Sequence, residues 1–149
     1  MAYERMVDGL LVSDDPARLD RELIFRFLSE ESYWVPGIRR EHVERAIRHS
    51  LCFGAYRDGA QLAFARCVTD RAGFAYLADV FVVPAARAQG ISKTLMGAIL
   101  SHPDLAVIRR FILATRDAHG LYAQFGFAPL AHPERFMERY DPDALSRRP

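Results

Sequence analysis

The sequence predicts an α/β fold: a mixed central sheet with an antiparallel meander half and a crossover half, covered by helices on both faces. Three observations support this prediction. The 149 residues suit one domain, spanning 1–149. Apolar strands separated by turn residues fill the middle of the chain, and amphipathic helical segments flank them. A long, nearly continuous apolar run, FAYLADVFVV, indicates a strand buried on both faces at the centre of the sheet.

The first part of the chain is expected to combine one strand with two helices. Asp15 offers a helix cap, followed by a proline in the first helical position. A Pro-Gly pair further on breaks any periodic structure. The predicted elements are, in order, a strand over 9–13, a helix over 16–29, the loop SYWVPGIRR, and a helix over 39–50.

The second part is expected to supply most of the sheet. An Asp-Gly pair at 58–59 favours a tight hairpin turn, because both residues tolerate positive φ. Gly126 is a predicted helix C-cap. The predicted elements are the hairpin LCFGAY and QLAFARCVT, the long strand FAYLADVFVV, a helix over 89–101, a buried strand RRFILAT, a helix over 117–125, and a closing hairpin of FAPL and RFMERY.

Composition and charge exclude several classes of protein. Apolar residues make up 50% of the chain and charged residues 26%, a normal globular mixture. The 20 Lys and Arg and 19 Asp and Glu give a net charge of +1, which argues against nucleic acid as the main partner. No apolar run approaches membrane-spanning length, and the N-terminus lacks the apolar core of a signal peptide. We therefore expect a cytoplasmic protein without a membrane partner.

The two cysteines predict no redox or metal chemistry. Cys52 and Cys67 each lie inside an apolar run, which favours buried, reduced thiols over a disulfide or a metal pair. The 5 histidines show no metal-ligand spacing with them, so we expect no metal.

The loop PAARAQGISKTLM, between the long strand and the following helix, is the first candidate for a binding site. A helix N-terminus offers amide groups without internal partners and a partial positive charge, so a phosphate can bind there. A plain strand-to-helix turn explains the loop equally well. Nucleotide motifs fit poorly: Ser92-Lys93-Thr94 lacks the Walker glycines, and the dinucleotide fingerprint retains only Gly90.

A different pattern fits the loop better. Val82-x-Pro84, then Arg87-x-x-Gly90-x-Ser92 and an apolar helix, resembles the acyl-CoA pyrophosphate loop of the GNAT acyltransferase superfamily. The usual form in that family is Q/R-x-x-G-x-G/A, so the serine is a mild departure that keeps the position small.

A second signature of the same family follows. Ala118-x-x-x-Tyr122-x-x-Phe125-Gly126-Phe127 resembles the family's short helix ending in Gly-Phe. Thr115 stands where many members have an asparagine, seven residues before the tyrosine, which puts that contact in doubt. SYW-x-x-GI, HSLCFGAY and LATRDAHGLYAQFGF are also similar to a small, single-domain GNAT subgroup that has no assigned acceptor.

The resemblance implies transfer of an acetyl group from acetyl-CoA, as cosubstrate, to a primary amine by direct attack in a ternary complex. It implies that the pyrophosphate is held by backbone amides around residues 88–94, and that Val82 and Val83 pair with the pantetheine arm and polarise the thioester. The cofactor-binding residues it indicates are Val82, Val83, Arg87, Ala88, Gln89, Gly90, Ile91, Ser92, Lys93, Thr94, Thr115 and His119.

Two residues are candidates for proton transfer. An alkyl amine with a pKa of about 10.4 is mostly protonated at neutral pH, so a proton must leave before attack. Tyr122 is the candidate acid for the departing thiolate; core packing is the alternative. Asp79, a carboxylate inside an apolar strand, is the candidate base or water holder. A structural hydrogen bond or a water relay without a side-chain base would also explain it.

The acceptor would bind in the region around the only tryptophan of the chain. Tyr33 and Trp34 are suited to packing on an amine or contacting its cation, although a core or dimer contact would serve as well. Glu30 is a candidate for recognising a cationic acceptor; an exposed helix end is the alternative. Asp117 is most simply an N-cap. The family resemblance also allows a homodimer.

Two other functions stay open. The first is a non-catalytic acyl-CoA sensor or interaction module of the same fold. The second is a nucleotide-binding α/β domain, which the missing glycines disfavour. Neither the acceptor nor the acyl chain follows from the residues.

Overall fold

The computed structural model describes residues 1–146, which form a six-stranded sheet with four α-helices packed against it. The strands are β1 (Glu4–Val7), β2 (Leu10–Ser13), β3 (Leu51–Arg57), β4 (Ala60–Thr69), β5 (Phe74–Val82) and β6 (Arg110–Leu113). The helices are α1 (Arg21–Arg26), α2 (Arg40–Arg48), α3 (Ile91–Ser101) and α4 (His119–Ala123). The strands lie in chain order; β1 to β5 pair antiparallel, and β6 pairs parallel to β5. The predicted mixed sheet is confirmed.

Two hairpins are closed by Asp-Gly turns. Asp58 (φ 52°) and Gly59 (φ 82°) join β3 to β4, as the sequence predicts. Asp8 (φ 49°) and Gly9 (φ 80°) join β1 to β2 in the same way. The sequence prediction missed β1, because its residues are mostly exposed and show no apolar alternation.

The single helix predicted over 16–29 is wrong, because a second cap divides it. The Asp15 carboxylate accepts the Ala17 N–H at 2.9 Å and caps only a short turn. The Asp20 carboxylate then accepts the Leu23 N–H at 3.0 Å and begins α1. The chain continues from α1 into a π-helical turn over Phe27–Glu31. This widened turn carries the following aromatic residues toward the sheet.

The helices bury two apolar layers, one on each face of the sheet. The layer under α3 includes Phe53, Leu95 and Met96, all fully buried. The layer under α1 and α2 includes Phe27 and Phe81, whose rings stack with their centroids 3.9 Å apart. The sheet therefore has helices on both faces, as predicted. No helix among residues 1–146 is both long and apolar enough to cross a membrane.

The cysteines are free and buried, as predicted. Cys52 belongs to the layer under α1 and α2, and Cys67 to the layer under α3. Burial raises the pKa of each thiol to about 12, so both stay protonated near neutral pH.

The far edge of the sheet differs from the prediction. β6 is a partly exposed edge strand rather than a buried one. No strand follows β6 within residues 1–146, so the predicted closing hairpin is wrong for that part of the chain. Pro133 begins a short turn there, and Met137 is 98% exposed. The end of the described chain lies against the start of α2, where the Arg39 N–H donates to the Leu145 carbonyl at 3.1 Å.

Candidate active site

A cleft opens where β5 and β6 separate. β5 pairs with β6 only from Phe74 to Leu77. Beyond Leu77, no strand pairs with that side of β5. The resulting cleft has a volume of about 480 Å³. Its walls are the residues after Tyr33, the second half of β5, and the segment from the end of β6 into α4. A gap of this kind exposes the backbone of β5 to a ligand. β5 lies next to the edge strand, so its predicted position at the centre of the sheet is wrong.

A β-bulge shapes the wall of the cleft. Ala78 pairs with Arg66 and Phe81 pairs with Phe64, so two residues of β5, Asp79 and Val80, face one residue of β4. Asp79 has a φ of 54°, in the left-handed region that an aspartate tolerates better than most residues. Both residues of the bulge line the cleft.

Asp79 is held at the bulge by two side chains. The Trp34 Nε1–H donates to its Oδ1 at 2.8 Å, and the Arg66 Nε–H donates to its Oδ2 at 2.8 Å. Arg66 also donates to the Ser50 hydroxyl at 3.1 Å. The Asp79 side chain is 10% exposed. We call Trp34, Arg66 and Asp79 the clamp.

The clamp changes the interpretation of Asp79. Both of its oxygens accept a hydrogen bond and its charge is matched by a guanidinium, so the carboxylate is already engaged by protein side chains. Its role as base or water holder stays a prediction. Arg66 was not predicted as a site residue, although it is a charged residue inside an apolar strand, FARCVT, just as Asp79 is.

Tyr122 lies in the same cleft as Asp79. It is 8% exposed, on α4, with its ring 6.0 Å from that of Phe127. Burial, with a smaller contribution from Tyr33, raises its pKa above the ordinary value of 10.0. The phenol is therefore neutral near pH 7 and has a proton to donate.

Thr115 positions the start of α4. Its Oγ1 accepts the N–H of Ala118, the residue directly before the helix that carries Tyr122, at 3.0 Å. The expected N-cap, Asp117, is wrong: its carboxylate is exposed and lies 3.8 Å from the Arg116 guanidinium. Thr115 also lines the cleft, where the family's asparagine was expected.

The aromatic residues bridge the two walls of the cleft. The Arg116 N–H donates to the Tyr33 hydroxyl at 3.2 Å, and the Arg116 guanidinium lies over the Tyr33 ring at 3.8 Å. The Tyr33 ring packs edge-on against Trp34, with centroids 5.0 Å apart. Glu30, the other proposed acceptor residue, is exposed and does not line the cleft.

A second depression, of about 250 Å³, lies at the loop before α3. Gly90 has a φ of 78°, and the position of a Cβ on it is open space. Ala88 also adopts a left-handed φ, of 62°. The first hydrogen bond of α3 runs from Thr94 N–H to the Gly90 carbonyl, so the three amides before Thr94 precede the helical ladder. These open amides, at the positive end of an 11-residue helix, suit an anionic group.

Ten of the twelve predicted cofactor residues fall into three groups. Of the other two, Thr115 lines the cleft, and Thr94 lines neither the cleft nor the depression and donates its hydroxyl to the Gly90 carbonyl at 3.3 Å. Those that line the depression are Val82, Arg87, Ala88, Gly90, Ile91, Ser92 and Lys93, joined by Leu121, which the sequence analysis missed. Two make other contacts: the Val83 N–H donates to the Leu62 carbonyl at 2.8 Å, and the Gln89 amide oxygen accepts from Arg57 at 3.1 Å. His119 is exposed at the start of α4.

The chain is similar in sequence and in structure to known proteins. The model of the acetyltransferase (GNAT) family matches residues 21–127. A candidate acetyltransferase of Gibberella zeae, FG08082, is 30% identical, over 76% of this chain and 76% of that protein. The solved structure of a candidate GNAT acetyltransferase from Xanthomonas campestris pv. campestris is 52% identical, with a TM-score of 0.90, over 95% of this chain and 100% of that chain.

A more distant structure shares the fold alone. A GNAT family acetyltransferase from Elizabethkingia anophelis, solved with acetyl-CoA bound, is 13% identical, with a TM-score of 0.61, over 82% of this chain and 78% of that chain.

Proposed function

The chain belongs to the acetyltransferase (GNAT) family, and from this membership we propose that it transfers an acetyl group from acetyl-CoA to a primary amine by direct attack in a ternary complex. One observation carries the proposal. The loop depression and the β5–β6 cleft are both lined by β5 and α4. A loop suited to an anion, an open strand edge and a buried phenol therefore lie next to one another.

The residues of the depression fit the cosubstrate. The open space beside Gly90 and the unpaired first amides of α3 suit a pyrophosphate, and Lys93 lies on the same rim. Beyond Leu77 no strand pairs with the β6 side of β5, which suits an extended arm with amide groups, although the Val82 carbonyl already accepts the Arg87 Nε–H at 3.1 Å. When bound, acetyl-CoA supplies the activated acetyl group.

The protein's own residues would supply position and proton transfer. Tyr122 holds a proton inside the cleft and would donate it to the leaving sulfur. The bulge at Asp79 presents the β5 backbone to the same space, where an N–H group would polarise a carbonyl oxygen. Because Asp79 is already engaged by Trp34 and Arg66, we propose that water in the open cleft, rather than this carboxylate alone, carries the amine's proton to solvent.

The engaged state of Asp79 also favours a second candidate function. A protein without a free base would bind acetyl-CoA as a sensor or interaction module and transfer nothing. The buried, protonated Tyr122 is retained in the cleft, which supports the enzyme over the sensor.

Tyr122→Phe separates the two functions. Acetyl-CoA binding is measured by calorimetry, and transfer by thiol release over a panel of primary amines. For an enzyme with a tyrosine acid, we expect kcat to fall by about 100-fold while the Kd for acetyl-CoA changes less than about twofold. A Tyr122→Phe variant that transfers at the parental rate contradicts the acid role. Binding of acetyl-CoA by the parent without transfer to any amine supports the sensor, and no binding at all contradicts both.

A further inference from the structure

The charges in the cleft point to a class of acceptor. The charged side chains that line it are Arg66, Asp79, Arg116 and Asp117, two of each sign. Arg66 pairs with Asp79 at 2.8 Å, and Arg116 lies 3.8 Å from Asp117. The lining therefore has no excess negative charge.

The one buried carboxylate of the lining already accepts a hydrogen bond at each of its oxygens. Asp79 accepts from Trp34 and from Arg66, and its pairing with the guanidinium neutralises it. Asp117 is 70% exposed, where solvent screens its charge. A second ammonium group that enters this cleft would lose hydration and meet only a carboxylate that is already paired, Asp79, or one that solvent screens, Asp117.

The faces of the aromatic rings offer an ammonium group few further contacts. The Arg116 guanidinium already covers one face of Tyr33, at 3.8 Å, and Trp34 uses its N–H on Asp79 and its ring against Tyr33. What the cleft does present is a set of flat, apolar or aromatic surfaces, from Tyr33, Trp34, Tyr76 and Leu113. Such surfaces favour a flat or apolar body.

From this balance, and resting on the proposed transfer activity, we propose that the acceptor is a primary amine with a single positive charge and a flat, apolar body, and not a polyamine. The Arg66–Asp79 pair is the specificity determinant, because it removes the negative charge that a diamine would require.

Matched amines of equal length test the proposal. Hexylamine and 1,6-diaminohexane differ only in the second ammonium, and phenethylamine adds the flat body. We expect kcat/KM for hexylamine to exceed that for the diamine by at least about tenfold, with phenethylamine better than both. A diamine preferred by the parent enzyme overturns the proposal and leaves the transfer activity standing. Acetyl-CoA turnover with none of the amines overturns the transfer activity, and the inference with it.

Arg66→Gln tests the determinant. The substitution leaves Asp79 without its cation, so the ratio of diamine to monoamine kcat/KM should rise by about tenfold, the equivalent of roughly 1.4 kcal/mol. Arg66→Gln combined with Asp79→Asn removes the freed charge and should return the ratio toward the parental value. An unchanged ratio in a single variant that still binds acetyl-CoA refutes the role of the pair. If Arg66→Gln does not fold, the parental amine series tests the proposal by itself, and equal kcat/KM values for hexylamine and 1,6-diaminohexane overturn it.

Discussion

Replacement of Trp34 by phenylalanine tests whether the clamp stabilises the protein. The change removes the Nε1–H that donates to Asp79 at 2.8 Å. A hydrogen bond to a charged group contributes about 1.5–3 kcal/mol to stability. Trp34→Phe also loses ring contacts with Tyr33 and Phe27, so the single variant overstates the hydrogen bond.

A double-mutant cycle with Asp79→Asn measures how much the pair gains from the carboxylate charge, because an asparagine Oδ1 can still accept the Trp34 Nε1–H. Asparagine keeps the shape of the side chain and tolerates the left-handed φ of 54° at this position. Because the lost ring contacts are common to both backgrounds, they cancel. We expect a coupling energy of about 1–2 kcal/mol between residues 34 and 79.

Urea unfolding followed by far-UV circular dichroism measures the four free energies of unfolding. A coupling of about 1–2 kcal/mol would appear in a parallel thermal scan as roughly 2–8 °C for a domain of this size. Tyr33→Phe is the matched control: Tyr33 is 47% exposed and its hydroxyl accepts one exposed amide, so stability should change by less than about 0.5 kcal/mol. A coupling energy within error of zero refutes the reasoning.

Three further predictions concern the loop, the cysteines and a buried phenol. Gly90→Val should weaken acetyl-CoA binding by at least about tenfold in calorimetry, whereas Gly9→Val, with a similar φ of 80° in a distant turn, should lower stability alone; equal binding by both variants contradicts the loop site. Cys52 and Cys67 should react with a thiol reagent only after denaturation, because burial raises the pKa of both to about 12; labelling of the native protein at a rate typical of exposed thiols would refute this. Tyr56→Phe should stabilise the protein by about 1 kcal/mol, since the buried hydroxyl has no hydrogen-bond partner within residues 1–146. Burial raises the Tyr56 pKa above 10.0, so the unfolded chain ionises first and the parent should lose stability relative to the variant as pH rises above 10; a gap that does not widen contradicts the assignment.

The sequence was most informative where local patterns determine local structure. Three features are each determined by residues that lie close together in the chain. They are the apolar run of β5, the loop before α3, and the short helix ending at Gly126 (φ 88°). The two motifs therefore located the depression and Tyr122, and the strand order followed from short connections.

The remaining features depend on residues that are distant along the chain. Trp34, Arg66 and Asp79 meet only after the π-helical turn, β4 and β5 have assembled, so no spacing rule predicts the clamp. Asp20 divides the first helix because its carboxylate competes as a cap, although the apolar periodicity continues through it. β1 shows no apolar alternation because it is an exposed edge strand.

The position of Trp34 gives the molecule a built-in optical reporter. It is the only tryptophan among the 149 residues, so selectively excited indole emission comes from one place. That place is the wall of the cleft, with the indole N–H bonded to Asp79 and the ring against Tyr33. Indole emission depends on the polarity and hydrogen bonding around the ring. Unlabelled protein can therefore be titrated with amines or with acetyl-CoA, and occupancy of the cleft can be followed before any product has been identified.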